Sequence, residues 1–103
     1  QITAKISSLD FSLNLKLTNL KITHSEIIGL ETSNYNNLDK IILLDLSFNQ
    51  LQSLDVSGFT ILESLNIIGN SNLDCVVVNQ NQLSSIPTTW IKDSTAEYNI
   101  DCK

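Results

Sequence analysis

The chain has 103 residues, a formal net charge of −5 and a hydrophobic share of 42%, which suits one domain around a single small core. Six basic residues, all lysine, stand against eleven acidic ones, and with no basic face to meet phosphate, nucleic acid is excluded as a partner. No run approaches the ~18–20 consecutive apolar residues of a membrane span, and one histidine with two cysteines outside any C-x-x-C spacing offers no zinc set. Neither membrane insertion nor a metal or other cofactor is expected.

In chain order, the first apolar set is Ile6, Leu9, Phe11 and Leu17, around the word Ser8-Leu9-Asp10-Phe11-Ser12. The second runs through Leu20, Ile22, Ser25, Ile27, Leu30, Thr32, Tyr35 and Leu38, where Ser25 and Thr32 break the pattern and both are small. The third is complete: Leu44, Leu46, Leu51, Leu54, Val56, Phe59 and Leu62, with Asn49 between Leu46 and Leu51 and the earlier word echoed in Ser53-Leu54-Asp55-Val56-Ser57. The fourth, Leu65, Ile67, Asn70, Leu73, Val76 and Val78, fits once an extra residue is allowed after Asn70. The step is thus 21, then 24, then 21 residues, a period that marks a solenoid in which no unit can bury its apolar side chains without its neighbours.

Each unit carries the L-x-x-L-x-L pattern twice, which predicts two short strands per coil, one on each side, with anchors inward and their neighbours outward. The segment Leu44-Asp45-Leu46-Ser47-Phe48-Asn49-Gln50-Leu51 reads L-x-L-x-x-N-x-L, the signature of the leucine-rich repeat (LRR). The expected fold is therefore a mostly β LRR solenoid of about four 21–24-residue coils with a C-terminal cap. Asn49 and Asn70 are expected to turn inward and hydrogen-bond the backbone of the bend that follows each strand. Residues 1–79 form the coils. After Val78 the pattern stops, and residues 80–103 read as a cap in which Trp90 supplies the largest apolar side chain and Tyr98 and Ile100 alternate like a short strand. The simplest account of Cys75 and Cys102 is one disulfide joining cap to last repeat, in an oxidising compartment; two unrelated buried thiols are the alternative. The chain opens at Gln1 inside a coil, which suggests a mature or truncated piece of a longer protein.

The run Asn72-Leu73-Asp74-Cys75-Val76-Val77-Val78, followed by Trp90-Ile91-Lys92-Asp93-Ser94-Thr95-Ala96-Glu97-Tyr98 and Cys102, resembles the C-terminal end of secreted bacterial LRR proteins from gliding, polysaccharide-degrading species. In those proteins "L-x-S-L-D-V-S" units close on an N-L-x-C, W, K-D-x-x-A, C pattern. The resemblance covers nearly the whole chain and is most specific at the cap. It implies a secreted or cell-surface protein, commonly followed by a sorting domain for type IX secretion. An acidic pair usual after the last repeat strand is replaced here by Asn79-Gln80.

Enzyme chemistry finds little footing, since G-x-S-x-G, H-E-x-x-H and phosphate-cradling glycine loops are all missing. His24 beside Ser25 and Glu26 has triad residue types, but sequence neighbours on a strand point to opposite faces. Two outward faces remain. One carries Asn19, Lys21, Thr23 and His24, then Leu43, Asp45, Ser47 and Phe48, then Ser64, Asn66, Ile68 and Gly69. Its mixture of apolar and polar groups, with Leu43, Phe48 and Ile68 expected to be exposed, points to a non-catalytic module that binds a protein or glycan through Lys21, His24, Leu43, Asp45, Phe48, Asn66 and Ile68. The other face repeats a small hydroxylic pattern around Asp10, Glu31 and Asp55, which suits a solvated surface or, as an alternative, an acidic ladder for a cation or polysaccharide. A third reading is a structural spacer that ends a longer LRR array.

Overall fold

The computed structural model describes residues 18–29 and 40–102. The expected first coil from Ile6 to Leu17 and the stretch from Leu30 to Leu38 lie outside the described residues. Within them the chain order is β1 (Asn19–Lys21), β2 (Leu43–Asp45), β3 (Leu54–Asp55), β4 (Ser64–Asn66), β5 (Cys75–Val77), α1 (Gln80–Ser84), β6 (Trp90–Ile91) and β7 (Glu97–Asn99). The strands form two parallel sheets, β1-β2-β4-β6 and β3-β5-β7. The architecture is a mostly β parallel solenoid of about three turns, each of ~22 residues.

The apolar period sets the register. Leu20 lies opposite Leu44 and Leu44 opposite Leu65, while Leu54 lies opposite Val76, the pairing that the extra residue after Asn70 requires. Strand alternation sends these anchors inward, and Ile22, Ile27, Leu44, Leu46, Leu51, Val56, Phe59, Leu65, Ile67 and Val76 are all fully buried in one continuous core. Each fully buried Leu or Ile contributes roughly 1.5–3 kcal/mol. Alternation ends sooner than the pattern suggests. Thr23 and Ser47, expected outside, are buried, because strands of three residues give way to an inward bend directly after Ile22 and Leu46.

Where the leucine pattern fades after Val78, the sheets continue. Trp90 takes the rung after Leu65, and Tyr98 takes the rung after Val76. The cap is thus built on one further rung of each sheet. The helical turn α1 is inserted between β5 and β6, held by a capping box in which Asn79 Oδ1 accepts from the Gln82 amide and Gln82 Oε1 accepts from the Asn79 amide, both at 2.8 Å. The same two side chains tie α1 to the preceding coil: Asn79 Nδ2 donates to the Ser57 carbonyl, and Gln82 Nε2 donates to the carbonyls of Val56 and Phe59. Trp90 is only 7% exposed and meets Tyr98 edge to face at 5.6 Å, with the Lys92 ammonium 5.6 Å from the centre of the Tyr98 ring. The Cys75–Cys102 disulfide is formed, across a Cα–Cα distance of 5.8 Å and 27 residues of sequence. It anchors the chain leaving β7 to the start of β5.

Two measurements test this cap. Closing a loop of 27 residues is worth about 3.5 kcal/mol in the chain-entropy account, so Cys102→Ser should lose roughly 2–5 kcal/mol in urea unfolding; stoichiometric free thiol in the oxidised folded protein would contradict the bond. The Tyr98 hydroxyl is buried without a hydrogen-bond partner among the described residues, and burial raises its pKa above the ordinary 10.0. A phenol that holds its proton longer when folded stabilises fully below the unfolded value. That stability drains away as pH rises from about 10 through the folded pKa. Tyr98→Phe should therefore abolish this component of alkaline destabilisation and be at least as stable as wild type at pH 7, since it removes an unpaired hydroxyl. Urea midpoints at neutral and alkaline pH read both.

Candidate functional site

The bend after each strand of the first sheet is organised from within. Asn49 Nδ2 donates to the carbonyls of Ile22, Leu46 and Ser47, at 2.9, 2.8 and 3.3 Å, and its Oδ1 accepts from the amides of Ser25 and Ile27. One coil later, Asn70 Nδ2 donates to the carbonyls of Leu46, Ile67 and Ile68, and its Oδ1 accepts from the Leu51 amide. Both asparagines are buried, as the repeat motif requires. Asp93 closes the series: its carboxylate accepts from the Gly69 and Asn70 amides at 3.2 and 2.8 Å. In the coil before, by contrast, the Phe48 amide donates to the backbone carbonyl of Ile68.

Just before Ser25, Asn49 and Asn70, at equivalent points of three successive bends, stand residues with positive φ: His24 at 56°, Phe48 at 59° and Gly69 at 80°. Side chains forced out by that left-handed turn line up along the solenoid axis. The His24 imidazole stacks on the Phe48 ring, with centroids 4.9 Å apart and planes 15° from parallel. Towards the next coil the ring lies against Gly69, where an added Cβ would come within 2.5 Å of Phe48 Cδ1. The result is a ridge whose central ring is stacked on His24 and stands close against Gly69, with Phe48 49% exposed.

Beside this ridge runs the outward row Lys21, Asp45 and Asn66, joined by register. Lys21 Nζ stands 3.9 Å from Asp45 Oδ2, a surface pair of the kind that contributes ~0–1 kcal/mol. Asp45 and Asn66 also serve the backbone: Asp45 Oδ1 accepts from the Ser47 amide and Asn66 Oδ1 from the Ile68 amide, each closing a turn two residues ahead. Of the three apolar groups expected to be exposed, only Phe48 is. Leu43 and Ile68 are half-buried, because outward side chains on stacked rungs ~4.8 Å apart shield one another. The structure thus brings together Lys21 with Asp45 and His24 with Phe48, while Leu43, Asn66 and Ile68 occupy the adjoining rungs.

The opposite sheet looks different. Asp10 and Glu31 lie outside the described residues. Asp55 Oδ1 accepts from the Ser57 amide and hydroxyl at 2.9 and 2.6 Å, and its neighbour in register is the apolar Val77. Among the described residues no group of three His, Cys, Asp or Glu side chains is gathered as a metal site, and no helix is long and apolar enough to cross a membrane. Ser25, next to His24, is buried with its hydroxyl donating to the Thr23 carbonyl. Two features escaped the sequence pattern: the Phe48–Gly69 contact, signalled only by glycine preceding Asn70 where a positive φ suits it, and an open groove of about 550 Å³ beside the disulfide.

Comparison of the chain with protein-family models, with curated proteins and with solved structures returns no match in any of the three. Geometry alone therefore defines the class: a parallel β-solenoid of about three turns, closed at its C-terminal end by a disulfide.

Substitution at Gly69 tests how the ridge is built. Gly69→Ala places a methyl against the Phe48 ring at a φ of +80°, so it should lower stability by about 1–3 kcal/mol. It should also displace the ring, seen as loss of the ring-current shifts that Phe48 imposes on the His24 imidazole protons. An unshifted His24 spectrum with wild-type stability would contradict the contact.

Proposed function

We propose that this chain is a non-catalytic, extracellular LRR module that binds a partner through the outward face of its first sheet. The observation that carries the reading is the ridge of His24, Phe48 and Gly69 beside the Lys21–Asp45 pair. It sets a large aromatic side chain half in water, at a position fixed by turn geometry and flanked by polar groups. Aromatic anchors surrounded by polar contacts concentrate binding energy in protein interfaces. The arrangement favours a protein over a glycan. Sugar rings stack on open aromatic faces, whereas the Phe48 ring is already stacked on His24 and stands close against Gly69, which leaves less open face for a sugar than a free aromatic platform offers.

The LRR identity is supported by the L-x-L-x-x-N-x-L motif together with the inward asparagine ladder of Asn49 and Asn70. Secretion is supported by the disulfide, which persists in oxidising compartments. The face of Lys21, His24, Leu43, Asp45, Phe48, Asn66 and Ile68 is the contact surface in this reading, and no cofactor takes part.

A double variant, Phe48→Ala with Leu43→Ser, tests the surface against partners recovered by pull-down on the wild-type protein and against a glycan array. The variant should keep the wild-type circular dichroism spectrum and bind its protein partner at least tenfold more weakly, about 1.4 kcal/mol. Unchanged affinity in a folded double variant would remove the site from this face. Selective glycan binding by both proteins would replace the protein reading.

A further inference from the structure

The disulfide does more in this fold than join two ends. Cys75 and Cys102 are both half-buried and form part of the wall of the open groove of about 550 Å³, large enough to admit a small thiol. The same wall carries the carboxylates of Asp74, Glu97 and Asp101, and among the described residues no lysine lines it. Two of those carboxylates adjoin the cysteines in sequence, and Glu97 is the register neighbour of Cys75 on β7. Even with Lys103, next to Cys102 in sequence, counted as a full positive charge, the local balance is negative.

We propose that this disulfide is a charge-selective site for thiol exchange, open to net-neutral or cationic thiols and guarded against anionic ones. In the exchange, a thiolate donates its electron pair to one sulfur of the bridge. A mixed disulfide forms, and the other cysteine leaves as a thiolate that takes a proton from water. A second thiol then displaces the first, so that both cysteines end as thiols and the two small thiols end as one oxidised disulfide. Every step that brings in a thiolate carries negative charge into a groove already negative. Two adjacent like charges also disfavour the departing cysteine thiolate. In water, one carboxylate ~7 Å from an approaching unit charge alters the encounter by roughly two- to threefold. Several acting on a doubly anionic thiolate change it by about tenfold or more at low ionic strength, and salt removes most of the difference.

The test compares glutathione, whose thiolate is doubly anionic, with cysteamine, whose thiolate is net neutral, on the intact oxidised chain. Each rate is divided by that reagent's thiolate fraction and by its rate on a small uncharged disulfide. At ~10 mM salt the normalised cysteamine rate should exceed that of glutathione by about tenfold, and the two should converge near 1 M salt. Asp74→Asn with Glu97→Gln should accelerate both thiols through the easier departure of the cysteine thiolate, and glutathione by several-fold more than cysteamine. Equal normalised rates at low salt would overturn the proposal. So would a bridge that neither thiol reduces until the protein is unfolded, because the groove would then give no access.

Discussion

Everything in this fold depends on the buried bend that follows each strand of the first sheet. A solenoid of short coils turns its backbone towards its own core, where amides and carbonyls left unpaired cost about 1–3 kcal/mol each. Asn49 and Asn70 remove that penalty by bridging successive coils, each donating from one amide nitrogen to carbonyls of its own coil and of the coil before. The residue before each asparagine, and His24 before Ser25 whose amide Asn49 holds, has a positive φ, and the side chains of His24 and Phe48 turn outward there. Interior satisfaction and exterior display are two sides of one turn. The His24–Phe48 stack follows from the same hydrogen bonds that hold the coils in register.

The end of the ladder shows how the scheme is stopped. Another asparagine coil would extend it, yet here the Asp93 carboxylate receives the Gly69 and Asn70 amides directly. A side chain thereby replaces backbone acceptors at the place where the sequence pattern lapses. Trp90 joins the core on that last rung, with Tyr98 packed against it edge to face. The disulfide then fixes the trailing chain to β5. The buried core thus runs on through Trp90 and Ala96, past the last leucine of the pattern.

The parts of the fold legible from residues alone are those governed by period. The rows Leu20–Leu44–Leu65 and Leu54–Val76 follow from counting, as do the inward asparagines and the pairing of the two cysteines. What counting could not reach depends on neighbours in space. Trp90 and Tyr98 continue the rows after an inserted helical turn, with aromatic residues in place of leucine and valine, so no apolar spacing announces them. Thr23 and Ser47 turn inward because the strands are too short for alternation to persist. Leu43 and Ile68 are half-covered because the side chains above and below them decide how much water they meet. Of the surface face, the positions were legible and the arrangement was not. That Phe48 stacks on His24 and stands close against Gly69 requires knowing the turn type at all three.

Trp90 is the only tryptophan in the chain, and it sits on the final rung of the first sheet, packed on Tyr98. The molecule therefore carries its own fluorescent label at one end. In a stack whose coils touch only their neighbours, the two ends can fray independently. Indole emission reports the C-terminal rung, whereas backbone dichroism averages over all of them. Coincidence of the two transitions is then a direct measure of how far cooperativity runs along the solenoid axis.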